Sequence, residues 1–140
     1  MILLDTNVIS ELVRPVPAEG VVTYIAGQAP TELFTAAICT AELHFGLALM
    51  PEGRRRADLF ERITRFLDEG FADRILPFEL GCAVHYGAIR HARQAAGRPI
   101  GVEDAMIAAT ARAFGAVLAT RNVKDFQHCG ITVIDPWAGG

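Results

Sequence analysis

The stretch at residues 2–7, Ile2-Leu3-Leu4-Asp5-Thr6-Asn7, decides the fold. Three consecutive apolar residues are typical of a short buried strand, and the residues after them begin a helical stretch. The same unit, a strand that leads into a helix, recurs along the chain. This alternation predicts an α/β fold in which a mostly parallel sheet is sandwiched by helices.

Hydrophobic patterning and breaks at Gly and Pro predict five strands and six helices. We find no internal repeat, low-complexity tract or linker, so we expect one domain spanning residues 1–140. The strands are predicted at residues 2–4, 33–38, 74–78, 116–119 and 131–134. The helices are predicted at residues 8–13, 18–28, 39–50, 54–69, 81–96 and 102–114.

The composition indicates a folded protein without a basic surface field. The chain is 51% hydrophobic, which excludes a disordered chain, and its net charge of −3 offers no general attraction to nucleic acid. The N-terminus lacks the basic segment of a signal peptide, and no apolar run approaches the ~18 residues of a membrane span. We therefore expect a soluble, cytoplasmic protein. Three widely spaced cysteines suit neither a zinc site nor a disulfide framework and are expected to be buried apolar residues: Cys39, Cys82 and Cys129.

Four acidic residues fall where a predicted strand ends or a predicted helix begins. Asp5 directly follows the first strand, and Glu42 lies in the first turn of the helix after the second. Asp125 lies a few residues beyond the fourth strand, and Asp104 begins the helix that leads into that strand. Helices that cross over a parallel sheet run opposite to its strands, so all four positions meet at the carboxyl edge, where α/β folds bind ligands.

Each acid also has a simpler explanation. Asp5 could cap the helix that follows it, and Asp104 could complement a helix dipole beside Glu103. Asp125 could form a capping arrangement with Asn122. Glu42 is harder to explain in this way, because its neighbours at helical spacing are apolar, although an arginine could still neutralise it.

The cluster as a whole favours a metal site. Carboxylates on one rim repel one another, which raises their pKa values unless a cation is present. Mg²⁺ and Mn²⁺ prefer such oxygen ligands. The expected chemistry is metal-assisted hydrolysis of a phosphoester, in which one ion activates water and a second stabilises the leaving oxygen.

Four blocks of the sequence, in order, together resemble the PIN domain, most closely the VapC- and FitB-like toxins of type II toxin–antitoxin systems. The resemblance covers essentially the whole chain. The blocks are Leu4-Asp5-Thr6-Asn7, Thr40-Ala41-Glu42-Leu43, residues 103–109 (EDAMIAA) and residues 119–126 (ATRNVKDF).

The resemblance implies a five-stranded parallel sheet of order 3-2-1-4-5 and a magnesium- or manganese-dependent endoribonuclease. It also implies a homodimer and a VapB- or FitA-like antitoxin partner that blocks the site, with DNA contacted only through the antitoxin. By that likeness Asp5, Glu42 and Asp104 are the core acids, and either Asp125 or Asn122 completes the site. Asn7 and Thr120 resemble residues that orient the carboxylates.

Other candidates carry less information. Arg121 lies beside the predicted rim, where it could steady a phosphate or pair with an acid. The arginines at residues 54–56 could follow an RNA backbone, but such runs are usually solvated. We assign no catalytic part to the four histidines, and Trp137 and Tyr86 are expected to serve in packing.

Two rival functions remain. A magnesium-dependent phosphatase would use Asp5 as a nucleophile, but residues 5–9 (DTNVI) lack the second aspartate and the threonine of that motif. A phosphoenzyme trapped on Asp5 would support it. Alternatively, the acids are vestigial and the chain is a silent partner in an operator-binding complex, in which case the protein should bind no divalent ion.

Overall fold

The computed structural model describes residues 1–138, and its five parallel strands form one sheet in the predicted order β3-β2-β1-β4-β5. The strands are β1 (Ile2–Leu4), β2 (Leu33–Ala36), β3 (Ile75–Leu76), β4 (Val117–Ala119) and β5 (Val133–Ile134). The helices are α1 (Thr6–Leu12), α2 (Glu19–Ala26), α3 (Ala37–Leu49), α4 (Arg54–Phe71), α5 (Leu80–Ala95) and α6 (Val102–Phe114). Short 3₁₀ helices occupy Pro30–Glu32, Val123–Phe126 and Pro136–Ala138.

Strand β1 is the central strand of the sheet, because it pairs with β2 on one side and with β4 on the other. Ile2 lies opposite Leu33 of β2 on one side and Val117 of β4 on the other. Leu3 and Leu4 point to opposite faces, and each is fully buried in a different hydrophobic cluster. The continuous apolar run that predicted β1 therefore reflects a core on each side of the sheet.

The predicted end of β2 was wrong. The apolar run through Ile38 indicated a strand to residue 38, but β2 ends at Ala36 and α3 begins at Ala37. A short apolar run does not distinguish a buried strand from a buried helical turn, and Ile38 packs against the core from the helix. Glu42 consequently lies in the second turn of α3, not in the first.

The two edge strands are shorter than predicted. Only Ile75 and Leu76 pair with β2, and Pro77 follows them without a backbone donor to extend the ladder. Strand β5 contains only Val133 and Ile134. Helix α4 instead continues two residues beyond the predicted Glu69, because Phe71 is buried against the core.

Helix α6 has the predicted limits, and a glycine ends it. Gly115 has a φ of +68°, the left-handed conformation that glycine adopts without strain. The Ala116 amide bonds to the Ala111 carbonyl at 2.8 Å, which closes the helix and turns the chain into β4.

In the described residues no helix is long and apolar enough to cross a membrane. The three cysteines are free and buried, as expected.

Candidate functional site

The four predicted acids are carried by elements that end or begin at the carboxyl edge of the sheet. Asp5 directly follows the central strand, and its amide donates to the Ala119 carbonyl at the end of β4 at 3.0 Å. Glu42 lies on α3, which follows β2 without a loop. Asp104 is the third residue of α6, and Asp125 lies in the 3₁₀ helix beyond β4.

Asp5 is only 4% exposed, and both of its carboxylate oxygens accept hydrogen bonds. Oδ1 accepts from the Thr6 amide at 2.7 Å, so Asp5 does cap α1. Oδ2 accepts from the Thr120 hydroxyl at 2.7 Å and from the Asn7 amide group at 3.4 Å. The capping explanation is therefore correct for one oxygen, while the other faces the loop after β4.

Thr120 lies at the centre of this hydrogen-bond network. Its buried hydroxyl donates to Asp5 and accepts from the Asn7 side chain at 3.2 Å and from the Asn122 amide at 3.1 Å. The Asn7 side-chain oxygen accepts from the Arg121 amide at 3.3 Å. These hydrogen bonds join the start of α1 to the loop after β4 around one carboxylate.

Glu42 is half-buried and oriented by the residue that follows Asp5. The Thr6 hydroxyl donates to Glu42 Oε1 at 2.6 Å. The apolar stripe that made Glu42 stand out does not enclose it, because Phe45 is 65% exposed and Leu49 70% exposed. Ligand atoms of Asp5, Glu42 and the buried Cys39 lie within 4.8 Å of one another.

Asp104 and Asp125 lie farther from the other two acids. Neither forms a group with Asp5 and Glu42 in which all the ligand atoms lie within 4.8 Å of one another. Asp104 is half-buried, and Asp125 is exposed. The capping arrangement considered as an alternative for Asn122 and Asp125 does not form between their side chains. Only the Asp125 amide donates, to the Asn122 carbonyl at 3.0 Å, and the Asn122 side chain makes no cap.

The acids raise one another's pKa values. Burial is the largest cause of the raised pKa of Asp5, and the charge of Asp125 adds to it. Burial also raises the pKa of Glu42, followed by the charges of Asp5 and Glu103. The pKa of Asp104 rises to about 6, first through burial and then through the other acids. The cluster therefore carries unbalanced negative charge that a cation would relieve.

Three contributors were not predicted. Thr6 was passed over although it stands in the first matching block, and Glu103 was considered only as a partner of the helix dipole. Cys39 was expected only to be buried, yet it faces the acids, and burial beside Asp5 raises the pKa of its thiol to about 12. The position of Thr6 and Glu103 next to predicted ligands was the available signal.

The remaining candidates lie elsewhere or serve other contacts. The Arg121 guanidinium carbon stacks 5.1 Å from the centroid of the Trp137 ring and, among the described residues, forms no ion pair with an acid. Arg54 and Arg55 line a cleft of about 850 Å³ between α1 and α4 that none of the four acids lines. Tyr86 packs edge-on against Phe78, as its packing role predicted.

Comparison with known proteins identifies the family of this chain. The PIN domain family model matches residues 2–130. The chain is 42% identical to the VapC ribonuclease Y4jK of Sinorhizobium fredii, covering 98% of both proteins. It is 40% identical to the toxin FitB of Neisseria gonorrhoeae, covering 98% of this chain and 99% of that protein.

A solved structure extends the likeness to three dimensions. The complex FitAB bound to an IR36 DNA fragment contains a chain that superposes with a TM-score of 0.90 at 39% identity, covering 98% of this chain and 96% of that one. The family model, the sequence identity to relatives and the superposition all cover nearly the whole chain. The chain therefore belongs to the PIN-domain family, with VapC- and FitB-like proteins among its relatives.

Proposed function

We propose that this protein is a divalent-metal-dependent endoribonuclease and the toxin of a type II toxin–antitoxin system. The proposal rests on the buried Asp5 at the end of the central strand. The charge of Asp5 is close enough to Glu42 and Asp104 to raise the pKa of both. A structural role alone does not require three carboxylates whose pKa values are all raised.

The donor set fits a hard divalent cation. Asp5, Glu42, Asp104 and Asp125 supply carboxylate oxygens, which Mg²⁺ and Mn²⁺ prefer. When bound, such an ion polarises water and stabilises the charge that develops on a phosphate. The raised pKa values are consistent with a site that is completed by a cation.

The residues around the acids restrict how those oxygens move. Thr120 and Thr6 each donate a short hydrogen bond, to Asp5 and to Glu42, and so orient both carboxylates before a ligand arrives. Among the described residues Asp104 makes no side-chain hydrogen bond, so its oxygens are available to an ion or to an attacking water. Burial and the neighbouring acids raise the pKa of Asp104 to about 6 in the metal-free protein, and a bound cation would favour its ionised form.

RNA is the proposed substrate because several relatives of the chain are ribonucleases. Besides VapC ribonuclease Y4jK, a tRNA(fMet)-specific endonuclease VapC of Shigella flexneri is 28% identical over 97% of this chain. The structural neighbours are complexes of FitA with FitB, which supports a VapB- or FitA-like antitoxin as partner. With a net charge of −3, this chain would contact DNA only through that antitoxin.

A homodimer is part of the proposal. Leu80 and Val84 lie one turn apart on α5 and are 86% and 73% exposed, which is costly for a monomer in water. These two side chains form an apolar face on α5 against which a second copy of the chain would pack. Val84→Arg is expected to shift the mass measured by light scattering from dimer to monomer, whereas an unchanged dimer would exclude this face.

The decisive experiment compares wild type with Asp5→Asn. The substitution is expected to abolish Mn²⁺ binding and RNA cleavage, read by sequencing RNA 5′ ends after induction, while the circular dichroism spectrum stays native. Asp68→Asn, at an exposed position of α4, is the matched control and should retain both. Persistent cleavage by folded Asp5→Asn protein would refute the proposal, and a wild type that binds no divalent ion would favour the silent-partner alternative.

A further inference from the structure

Arg93 is a buried charge that the proposed chemistry does not yet use. It lies in the last turn of α5 and is only 6% exposed. Its carbonyl accepts from the Arg98 amide at 2.9 Å, and the Gly97 amide bonds to the Gln94 carbonyl at 3.1 Å. With a φ of +73° at Gly97, these bonds form a Schellman motif that ends α5.

The Arg93 side chain joins two loops. Its Nε donates to the Arg98 carbonyl at 2.6 Å, in the connection between α5 and α6. Its Nη1 donates to the Asp125 carbonyl at 2.7 Å and to the Gln127 carbonyl at 3.1 Å, in the segment after β4. Among the described residues it has no carboxylate partner at ion-pair distance, so backbone carbonyls balance its charge.

Both of these loops carry an acid of the site. The connection held through Arg98 continues to Gly101, the N-cap residue of α6, three residues before Asp104. The second loop contains Asp125 itself, whose backbone is bonded directly to Arg93. The Asp125 side chain is exposed and, among the described residues, forms no side-chain hydrogen bond, so its position depends on how its backbone is held.

We propose that Arg93 is a positioning residue that holds the backbone of Asp125 beside the start of α6, so that the Asp125 carboxylate stays near the other three acids and contributes to divalent-ion binding there. This inference rests on the proposed function, because it assigns Arg93 an effect on metal binding. The planar guanidinium donates to both loops at once, which a lysine ammonium cannot do in the same fork geometry.

The test measures free Mn²⁺ by electron paramagnetic resonance during titration of the full-length protein. Arg93→Met is expected to raise the Kd for Mn²⁺ by about tenfold, the usual effect of removing a residue that supports a ligand. Arg93→Lys is expected to raise it less. Arg90→Met is the matched control on the same helix and should leave the Kd unchanged, because Arg90 is exposed and its guanidinium donates to the Tyr86 hydroxyl and stacks on that ring.

A double substitution separates positioning from general destabilisation. In an Asp125→Asn background, Arg93→Met is expected to cause no further loss of Mn²⁺ affinity, since the carboxylate that it positions is gone. Hydrogen exchange of the amides at residues 122–129 should quicken in Arg93→Met and Arg93→Lys alike. If Arg93→Met does not fold, the Arg93→Lys titration carries the same comparison.

Three outcomes would overturn the inference: a wild-type Kd in either folded Arg93 variant, a full additional tenfold loss in the double variant, or a wild-type Kd in Asp125→Asn. Each of these leaves the proposed function intact as long as Asp5→Asn abolishes Mn²⁺ binding. Retained Mn²⁺ binding by Asp5→Asn would instead refute the proposed function itself.

Discussion

Replacing Asp104 with asparagine should stabilise the metal-free protein at neutral pH. In the folded chain the pKa of Asp104 rises from the ordinary 3.8 to about 6, first because the carboxyl group is buried and then because Asp5 and Asp125 repel its charge. An aspartate whose pKa is raised by folding stabilises the fold while it is protonated. That contribution is complete below pH 3.8 and is lost as the pH rises through about 6.

The size of the effect follows from the two pKa values. At about 1.4 kcal/mol per pH unit, their difference corresponds to about 3 kcal/mol between the protonated and ionised forms. Asp104 is only half-buried, so water screens its charge and we reduce this figure to about 1.5 kcal/mol. For a chain of this length that is a rise in Tm of about 3 to 6 °C for Asp104→Asn.

The assay is thermal unfolding followed by circular dichroism in EDTA between pH 3.5 and pH 8. Wild type should lose stability mainly between pH 3.8 and about pH 6, and the loss should be smaller in Asp104→Asn. With excess Mn²⁺ the order should reverse, because the ion stabilises only a protein that binds it. Asp68→Asn should behave as wild type throughout. A metal-free Asp104→Asn protein that is less stable than wild type at pH 8 would refute this reasoning.

Three further substitutions test the hydrogen bonds and the chain turn that position the site. Thr120→Val should destabilise the protein by about 1–3 kcal/mol in urea unfolding, because Asp5 loses a buried hydrogen-bond donor. Thr120→Ser should restore most of this stability. An unchanged unfolding midpoint for Thr120→Val would contradict the role of this hydrogen bond. Thr6→Val should weaken Mn²⁺ binding by about tenfold with little change in Tm, since Glu42 loses the hydroxyl that orients it; equal affinities for Thr6→Val and Thr6→Ser would show that the hydroxyl is dispensable. Gly115→Ala should cost about 1 kcal/mol in the same urea assay, because alanine is strained at a φ of +68°, and a neutral result would mean that the turn adapts.

The spacing of apolar residues was enough to predict which segments form strands and helices. It reflects which faces of an element are buried, both faces in β1 and one face in α4. It was not enough to predict where elements end. The run through Ile38 suits a strand or a helical turn equally well, and the choice depends on the neighbouring strand, which pairs with β2 only to Ala36. The two-residue error in that boundary placed Glu42 one turn too early.

The contacts within the site could not be predicted from the sequence, because they join residues that are far apart in the chain. Asp5 and Thr120 are 115 residues apart, and Arg93 reaches the Asp125 carbonyl across 32 residues. Nothing in the local sequence around Arg93 distinguishes it from the exposed Arg90 on the same helix. Only the packing of α5 against the following loops makes one arginine buried and the other solvated.

The sequence by itself determined the alternation of strands and helices. That alternation also placed the four acids at one edge of the sheet, because the carboxyl ends of parallel strands lie at the same edge however far apart the strands are in the chain. The tertiary structure alone decided how the acids differ. Asp5 became a buried, fully hydrogen-bonded carboxylate, Asp104 a half-buried acid with a pKa of about 6, and Asp125 an exposed residue held by its backbone. Those differences depend on desolvation and on charges a few ångströms away, and both are set by residues distant in sequence.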